Sequence, residues 1–291
     1  MTLSHQDTIV TYPSGALVAH ATVQHTAAAG ELLAVVTDET SIHPVDAAWP
    51  DQPADAGVLR LHGTEIPIRD AVVAATDGVE LFLGADIPVR KGTEGWAFLV
   101  AHLVDADAPV AEGDAVELEA DATLRRSLSV GHTACHAASL ALNRALAGRW
   151  SKAAREDALG APDFDGIAIA SSRIGELGST DRYRLNKSLR RAGFDAAGLA
   201  DELGGLAASV DATLAEWVAA GAAVRIDREG DRLTDRRSWV CELPDAAARI
   251  ACGGTHVASL AELGAVHVAF ELGDEGGTPV LTMTTRSEPP A

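Results

Sequence analysis

The sequence predicts an α+β fold in two parts: a small N-terminal β-barrel over residues 1–122 and an α+β domain over residues 123–291. Short β-branched or alternating segments, separated by glycine and proline turns, fill the first part, which is typical of a small barrel or sandwich. A long alanine-rich segment with helical periodicity opens the second part. Strand-like segments mixed with further helical ones follow it, and this mixture predicts α+β.

The first part is predicted to contain only strands, each bounded by turn residues such as Pro13, Gly30 and Pro50. The predicted strands cover residues 8–12, 16–24, 32–37, 58–61, 65–74, 78–83, 96–103 and 115–122.

The second part begins with a predicted helix over residues 129–149, where Val130, Ala134 and Ala138 recur on one side. Residues 188–191, 196–206 and 207–220 are predicted as further helices. Strands are predicted to return at residues 222–227, 236–242, 266–272 and 280–285.

Composition is that of an ordinary globular chain, with 47% hydrophobic and 22% charged residues among 291. No run of 18 apolar residues and no secretory leader is visible, so we expect a cytoplasmic protein without a membrane partner. The three cysteines, Cys135, Cys241 and Cys252, are too few for a disulfide framework. In the cytoplasm such cysteines are buried, catalytic or metal-bound.

The net charge of −19 restricts the possible partners. A uniformly acidic surface repels phosphate backbones, so no DNA partner is expected and RNA binding would need a local basic patch. The densest basic run extends from Arg182 to Arg191; it could follow an RNA backbone or pair with the many acids. The candidates for RNA contact, within this run and outside it, are Arg125, Arg126, Arg182, Arg184, Lys187, Arg190, Arg191, Arg236 and Arg237.

Two paired motifs predict a zinc site. His132 and His136 are four residues apart in the predicted helix, which puts both imidazoles on one face. Cys252 and His256 are also four apart, and Gly253-Gly254 between them favours a tight turn. Three imidazoles and one thiolate form a ligand set that suits zinc and disfavours magnesium or calcium.

The spacing of these residues does not decide whether the zinc is structural or catalytic. Thr133 stands where the metalloprotease helix motif requires a glutamate base, which excludes the protease interpretation. Cys135 could compete as a ligand, although a buried, non-ligating cysteine is the simpler interpretation. Four protein ligands would make the site structural, and three with an open position would make it catalytic.

The paired motifs resemble the editing domain of alanyl-tRNA synthetase and its free-standing relatives, the metal-dependent trans-editing deacylases. The resemblance extends to Gly264 and Glu271 after the second motif. It also includes a patch in the first part, which in the family belongs to a small β-barrel. That patch is His43-Pro44 followed by Gln52-Pro53-Ala54-Asp55-Ala56-Gly57.

The resemblance implies hydrolysis of the aminoacyl ester of tRNA, mainly serine or glycine wrongly attached to the alanine tRNA. It implies zinc as cofactor and aminoacylated tRNA as partner. Glu176 is a candidate general base, with a solvated loop carboxylate as the equal alternative. Ser179 and Thr255 could supply hydroxyl contacts to the substrate, and Thr255 could instead stabilise its turn. The chain departs from the family where Glu176 replaces a glutamine, where Asn186 follows Arg184 in place of an aspartate, and at residues 45–51, which replace a glycine run.

Two alternatives are kept. One is a zinc hydrolase of a small aminoacyl or acylated metabolite, which the acidic surface and the missing glycines favour. The other is a non-catalytic binding module that zinc stabilises. The sequence does not predict an oligomeric state.

Overall fold

In a computed structural model, which describes Leu3 and residues 5–290, the chain has the predicted α+β composition and is mostly sheet. It forms two compact units. Unit 1 comprises Met1–Arg126, Ile226–Arg237 and Gly253–Thr255; unit 2 comprises Ser127–Arg225, Ser238–Cys252 and His256–Ala291. The single boundary predicted after residue 122 stays a prediction. No described helix is long and apolar enough to cross a membrane.

Unit 1 is built on an antiparallel sheet. Its strands are β1 (Ile9–Val10), β2 (Val18–Ala29), β3 (Leu32–Thr37), β4 (Glu39–Thr40), β5 (Gly57–Leu61), β6 (Thr64–Ile68), β7 (Asp70–Thr76), β8 (Leu81–Leu83), β9 (Ala97–Asp105) and β10 (Ala115–Ala120). Eight of them form one sheet in the order β6-β5-β10-β2-β3-β9-β7-β8, while β1 and β4 pair separately and in parallel. The long β2 carries a register shift between Val23 and His25, and this lets it pair with both β10 and β3.

The predicted closed barrel is wrong, because this sheet stays open. β6 and β8 are its two edges, and no pairing joins them among the described residues. Pro67 in β6 has no N–H to donate, which suits a free edge and opposes a further partner strand. At the other edge, β8 has only three residues and offers a short ladder. The spacing of the turns predicts the strands, but it does not predict whether the two edge strands pair and close a barrel.

A buried ion pair fixes the long loop between β4 and β5. Arg125 Nε lies 2.9 Å from Asp55 Oδ1, and a second guanidinium nitrogen contacts the other carboxylate oxygen. Arg125 also donates to the carbonyl oxygen of Ser41, and Asp55 accepts from the backbone N–H of His43 at 2.6 Å. Both side chains are almost fully buried, so each charge depends on the other. Asp55 in the family-like patch therefore has a structural partner.

Unit 2 packs helices against two antiparallel sheets. Its elements are α1 (Ala122–Ala145, starting in unit 1), α2 (Phe164–Ala168), β11 (Ile169–Gly175), β12 (Gly178–Arg184), α3 (Lys187–Ala192), α4 (Leu199–Ala219), β13 (Val224–Arg228, ending in unit 1), β14 (Arg237–Glu242, starting in unit 1), β15 (Ala247–Ala251), β16 (Ala265–Glu275) and β17 (Thr278–Glu288). The larger sheet has the order β11-β12-β17-β16, and β13-β14-β15 form the smaller one.

α1 is the central helix of this unit and closely approaches the β11–β12 turn. A Cβ atom at Gly131 would collide with the carbonyl oxygens of Gly175 and Gly178, so only glycine allows this approach. The turn is fixed by the Leu177 N–H, which donates to the carbonyl oxygen of Ser127 at 3.0 Å. Leu177 adopts a φ of 58°, a left-handed conformation that costs about 1 kcal/mol for a non-glycine residue.

α4 was predicted as two helices and is one. Gly204 and Gly205 favour a break, but Leu206, Val210 and Leu214 recur at four-residue intervals and are buried. Burying each such side chain contributes about 1.5–3 kcal/mol, which outweighs the cost of about 1 kcal/mol for each glycine. α2, the β11–β12 hairpin and β15 were not predicted.

Candidate metal centre

The four side chains predicted as zinc ligands lie together in unit 2. One ligand atom from each of His132, His136, Cys252 and His256 can be chosen so that all four lie within 4.8 Å of one another. His132 and His136 are one turn apart on α1, while Cys252 and His256 follow β15. His132 is buried, and the other three are half-buried. The group could therefore hold a metal ion.

The donor spacing fits a zinc-sized ion. Cys252 Sγ lies 3.2 Å from His256 Nε2 and 3.5 Å from His132 Nε2. Tetrahedral zinc with ordinary Zn–N and Zn–S lengths separates such a nitrogen and sulfur by about 3.6 Å. The imidazole rings also converge, with centroids 4.4 Å apart for His132 and His256 and 4.9 Å for His132 and His136.

Thr133 determines which nitrogen of His256 faces the group. Its hydroxyl lies 2.8 Å from the carbonyl oxygen of Ser129 and must donate there, because that oxygen can only accept. Thr133 Oγ1 is then left to accept from the Val257 N–H at 3.3 Å and from His256 Nδ1 at 3.1 Å. His256 is thus protonated on Nδ1, which leaves the Nε2 lone pair directed at Cys252.

Trp239 of β14 packs beside the group. Its ring centroid lies 5.1 Å from that of His136 and 6.2 Å from that of His256, and its side chain is fully buried. An apolar ring at this position restricts the rotamers of both imidazoles and keeps water from one side of the group.

A polar cluster centred on the buried Asp181 of β12 contacts α1 through Cys135. Ser179 Oγ donates to one carboxylate oxygen of Asp181 at 2.7 Å, and Ser172 Oγ donates to the other at 2.6 Å. Cys135 Sγ lies 3.4 Å from the same carboxylate, and it is outside the ligand group. Burial, followed by the charge of Asp181, raises the pKa of the Cys135 thiol well above its usual value.

A second acid, the half-buried Asp165 of α2, contacts α1 at Asn143. Tyr183 Oη donates to Asp165 at 2.9 Å, and Asn143 of α1 accepts from the Asp165 N–H at 2.8 Å. Burial raises the pKa of Asp165 to about 7, against the lowering effect of the Tyr183 hydrogen bond.

Two of the predicted catalytic residues lie at the β11–β12 hairpin. Glu176 is exposed in its turn, two residues before the strand that carries Ser179. Ser179 is buried, and its hydroxyl proton is directed to Asp181. Their catalytic roles stay predictions.

The third, Thr255, belongs to unit 1 and precedes the ligand His256 in the chain. Gln52 binds it twice: Gln52 Nε2 donates to Thr255 Oγ1 at 3.0 Å, and the Thr255 N–H donates to Gln52 Oε1 at 3.0 Å. Both residues are buried. The glutamine of the family-like patch therefore fixes the backbone immediately before His256, a role that the sequence did not indicate.

Sequence reasoning missed Asp181 and Asp165. Asp181 lies in the segment Ser179-Thr180-Asp181-Arg182-Tyr183, which is polar throughout and looks exposed, and Asp165 has no sequence signal. Thr133 was noted only for excluding a protease.

Fold and site together define an α+β protein with a candidate metal centre of three histidines and one cysteine. No family model matches the chain. It is 30% identical over 254 residues to an alanine–tRNA ligase of Frankia alni, a match that covers 86% of this chain and 24% of the relative. The alanine–tRNA ligase of Frankia casuarinae is 30% identical over 261 residues, with 87% and 24% covered.

The chain therefore spans about a quarter of the length of the curated relatives it matches. It is similar to a segment of alanyl-tRNA synthetase, and the predicted resemblance is confirmed.

Proposed function

We propose that the chain is a zinc-dependent hydrolase that removes serine or glycine from wrongly charged alanine tRNA by cleaving the aminoacyl ester. One observation carries the proposal: the His132, His136, Cys252 and His256 side chains converge in a chain that is similar to alanine–tRNA ligases. A role in translation and the predicted cytoplasmic location fit this activity.

Zinc is the proposed ion, held by the three imidazoles and the thiolate. When bound, zinc supplies a Lewis acid that can polarise an ester carbonyl or lower the pKa of a water molecule. Because four protein ligands close a tetrahedral site, we propose that one of them gives way to water or substrate during catalysis. The half-burial of His136, Cys252 and His256 supports such an exchange, since these side chains are within reach of solvent.

The chain's own residues would position the reacting groups. In the hydrolysis, a water oxygen bonds to the ester carbonyl carbon, the carbon–oxygen bond to the ribose breaks, and the ribose oxygen leaves as a hydroxyl. Glu176, exposed in a turn that is fixed to α1, is proposed to take the water proton and to return it to the leaving ribose oxygen. Ser179, held by Asp181, is proposed to limit the size of the amino acid. Thr255, held by Gln52, is proposed to contact the substrate through its Oγ1 atom.

A small aminoacyl or acylated metabolite is the second candidate substrate, and the charge balance favours it. Forty-two acidic residues face 23 basic ones, a balance that opposes long-range attraction of any polyanion.

The test is release of amino acid from the alanine tRNA charged with serine, glycine or alanine, with zinc present and after chelation. We expect metal-dependent release of serine and glycine, and little release of alanine. Glu176→Gln should reduce the rate by about 100-fold or more, a usual contribution of a general base. The control Glu80→Gln removes an exposed carboxylate of unit 1 and should leave the rate unchanged.

Other outcomes separate the alternatives. Hydrolysis of serine methyl ester without hydrolysis of charged tRNA would replace the proposal with the metabolite hydrolase. A zinc-loaded protein that cleaves neither substrate would favour the binding module.

A further inference from the structure

From the arrangement of charges in unit 2 we infer that one cationic surface binds the phosphate backbone of RNA. This surface, called here the α3 surface, consists of five exposed side chains. They are Lys152, Arg184, Lys187, Arg190 and Arg191. The inference rests on the proposed function, because it names where the tRNA partner would contact the chain.

The α3 surface differs from three of the other predicted RNA-contact residues, Arg125, Arg182 and Arg237, in how its charges are used. Arg125 is buried against Asp55, and Arg182 pairs with Glu275. Arg237 is buried and donates to the carbonyl oxygen of Leu233 at 2.9 Å. Within the part of the chain that the structure describes, no ion pair engages any of the five α3-surface cations. In a chain of net charge −19, five adjacent cations without acidic partners mark a surface suited to an external anion.

Local structure brings these cations onto one side. Lys187, Arg190 and Arg191 are three and four residues apart on α3, so they share a helix face, while Leu189 is turned into the core. Asn186 fixes the start of the helix, because its side chain accepts from the Leu189 N–H at 3.0 Å. The surface is therefore held by a capped helix with a buried anchor.

The remaining two cations extend this face at its two ends. Arg184 is the last residue of β12 and lies just before α3. Lys152 packs against Gly193 at the other end of α3, where a Cβ atom would collide with its side chain. The Ser151 N–H donates to the Gly193 carbonyl at 2.9 Å, which holds Lys152 in place.

A cleft of about 370 Å³ opens beside the cations. Its floor is apolar, formed by Leu185, Leu189, Phe194, Leu272 and Pro279. Arg190, Asn186 and the carboxylate Asp195 line its polar side. An apolar floor beside a cation suits a base or ribose whose phosphate lies on the arginine. A uniformly charged acidic peptide has no such apolar part, so the cleft favours RNA.

The α3 surface and the Asp181 cluster are joined by one strand. Ser179, which contacts Asp181, and Arg184 are five residues apart on β12, which is about 17 Å at strand rise.

The test compares two triple variants of the full chain for binding to uncharged alanine tRNA over a range of salt concentrations. Lys187→Gln/Arg190→Gln/Arg191→Gln neutralises the α3 surface. The control Arg69→Gln/Arg144→Gln/Arg225→Gln makes the same charge change at exposed, ion-paired arginines. We expect the first variant to weaken binding at least tenfold and to reduce the slope of log K against log salt by about 2–3. The control should stay within about twofold of the parent chain.

Each other outcome has one meaning. Equal weakening by both variants, or no binding of tRNA by the parent chain, would overturn the inference. Displacement of tRNA by polyglutamate as readily as by unlabelled RNA would assign the surface to acidic peptides instead. Binding through the α3 surface without any deacylation would leave this inference standing and reject the proposed function. If the parent chain deacylates charged tRNA and the α3 variant has the same KM for it, the proposed function would stand and this inference would be rejected.

Discussion

Each unit holds a threonine–histidine pair, and the two pairs direct their hydrogen bonds in opposite ways. In unit 1, His102 is fully buried, with Nδ1 3.0 Å from the Val35 carbonyl oxygen and Nε2 2.9 Å from Thr40 Oγ1. The carbonyl can only accept, so His102 Nδ1 carries the proton and the Thr40 hydroxyl donates to Nε2. Both ring nitrogens are thus satisfied within unit 1.

In unit 2 the hydroxyl of Thr133 is already committed to the Ser129 carbonyl, so it accepts from His256 Nδ1 and leaves Nε2 for the metal centre. Burial alone does not make a histidine a ligand, since His102 is the more buried of the two. The direction of the hydrogen bond at the second ring nitrogen makes the difference.

Removing a ligand should have the largest effect. Cys252→Ala takes the only thiolate from the group and should lower zinc affinity by more than the roughly 100-fold that loss of an outer partner costs. Zinc content after dialysis against a weak chelator measures this. Cys241→Ala is the control: Cys241 is buried and outside the group, and burial raises its pKa to about 12. Equal zinc content in the two variants would remove the metal centre from unit 2.

The convergence of the four candidate ligands could be predicted from sequence because local geometry fixes most of the group. A helix places residues four apart on one face, and a glycine pair permits the turn between Cys252 and His256. Thr133 could not be assigned a role in the same way. Its hydrogen bond to His256 joins residues 123 positions apart, and nothing in the sequence specifies that contact.

Helices and strands could be predicted where the buried positions are hydrophobic and the exposed positions are polar. β12 was missed because its inward face carries Ser179, Asp181 and Tyr183, so the alternation of hydrophobic residues that marks a strand is absent. Barrel closure failed for a different reason. It depends on pairing between two edge strands, and the free edge beside Pro67 shows only in three dimensions.

The next largest effect is expected at the buried ion pair of unit 1. Arg125→Met would leave the Asp55 carboxylate buried without its cation and should destabilise unit 1 by about 3–5 kcal/mol. Urea denaturation with tryptophan fluorescence as the signal measures the free energy of unfolding. Arg69→Met is the matched control, because Arg69 makes a similar two-point contact with Asp105 at an exposed position. Its loss should cost less than about 1 kcal/mol. Similar costs for the two variants would contradict a special role for the buried pair.

His102 of unit 1 and Asp165 of unit 2 should make stability depend on pH in opposite directions. Burial lowers the pKa of His102 to about 4, so its contribution is present above pH 6.5 and is lost as pH falls towards 4. The raised pKa of Asp165, about 7, acts oppositely: its contribution is present below the ordinary aspartate pKa and is lost as pH rises through 7. Asp165→Asn keeps the acceptor for Tyr183 and cannot ionise. The stability of this variant relative to the parent should therefore rise by up to about 4 kcal/mol between pH 4 and pH 8.

Urea denaturation at pH 4, 6 and 8 measures this change, with Asp245→Asn as an exposed control. A difference between Asp165→Asn and the parent that does not vary with pH would show that folding leaves the pKa of Asp165 unchanged.

The smallest effect tests the comparison most directly. Thr133→Val keeps the shape of the side chain but cannot accept from His256 Nδ1, so zinc affinity should fall about 10- to 100-fold, as for other outer partners. Thr133→Ser keeps the hydroxyl and should restore most of this affinity. In the cobalt-substituted protein, Thr133→Val should also shift the visible d–d bands, which a purely structural defect would leave in place.

Thr40→Val, the matched change in unit 1, leaves His102 Nε2 without its donor and should cost about 1–3 kcal/mol of stability. Because His102 lies outside the ligand group, that variant should bind zinc as the parent does; if Thr40→Val and Thr133→Val lowered zinc affinity equally, hydrogen-bond direction would not be what separates the two histidines.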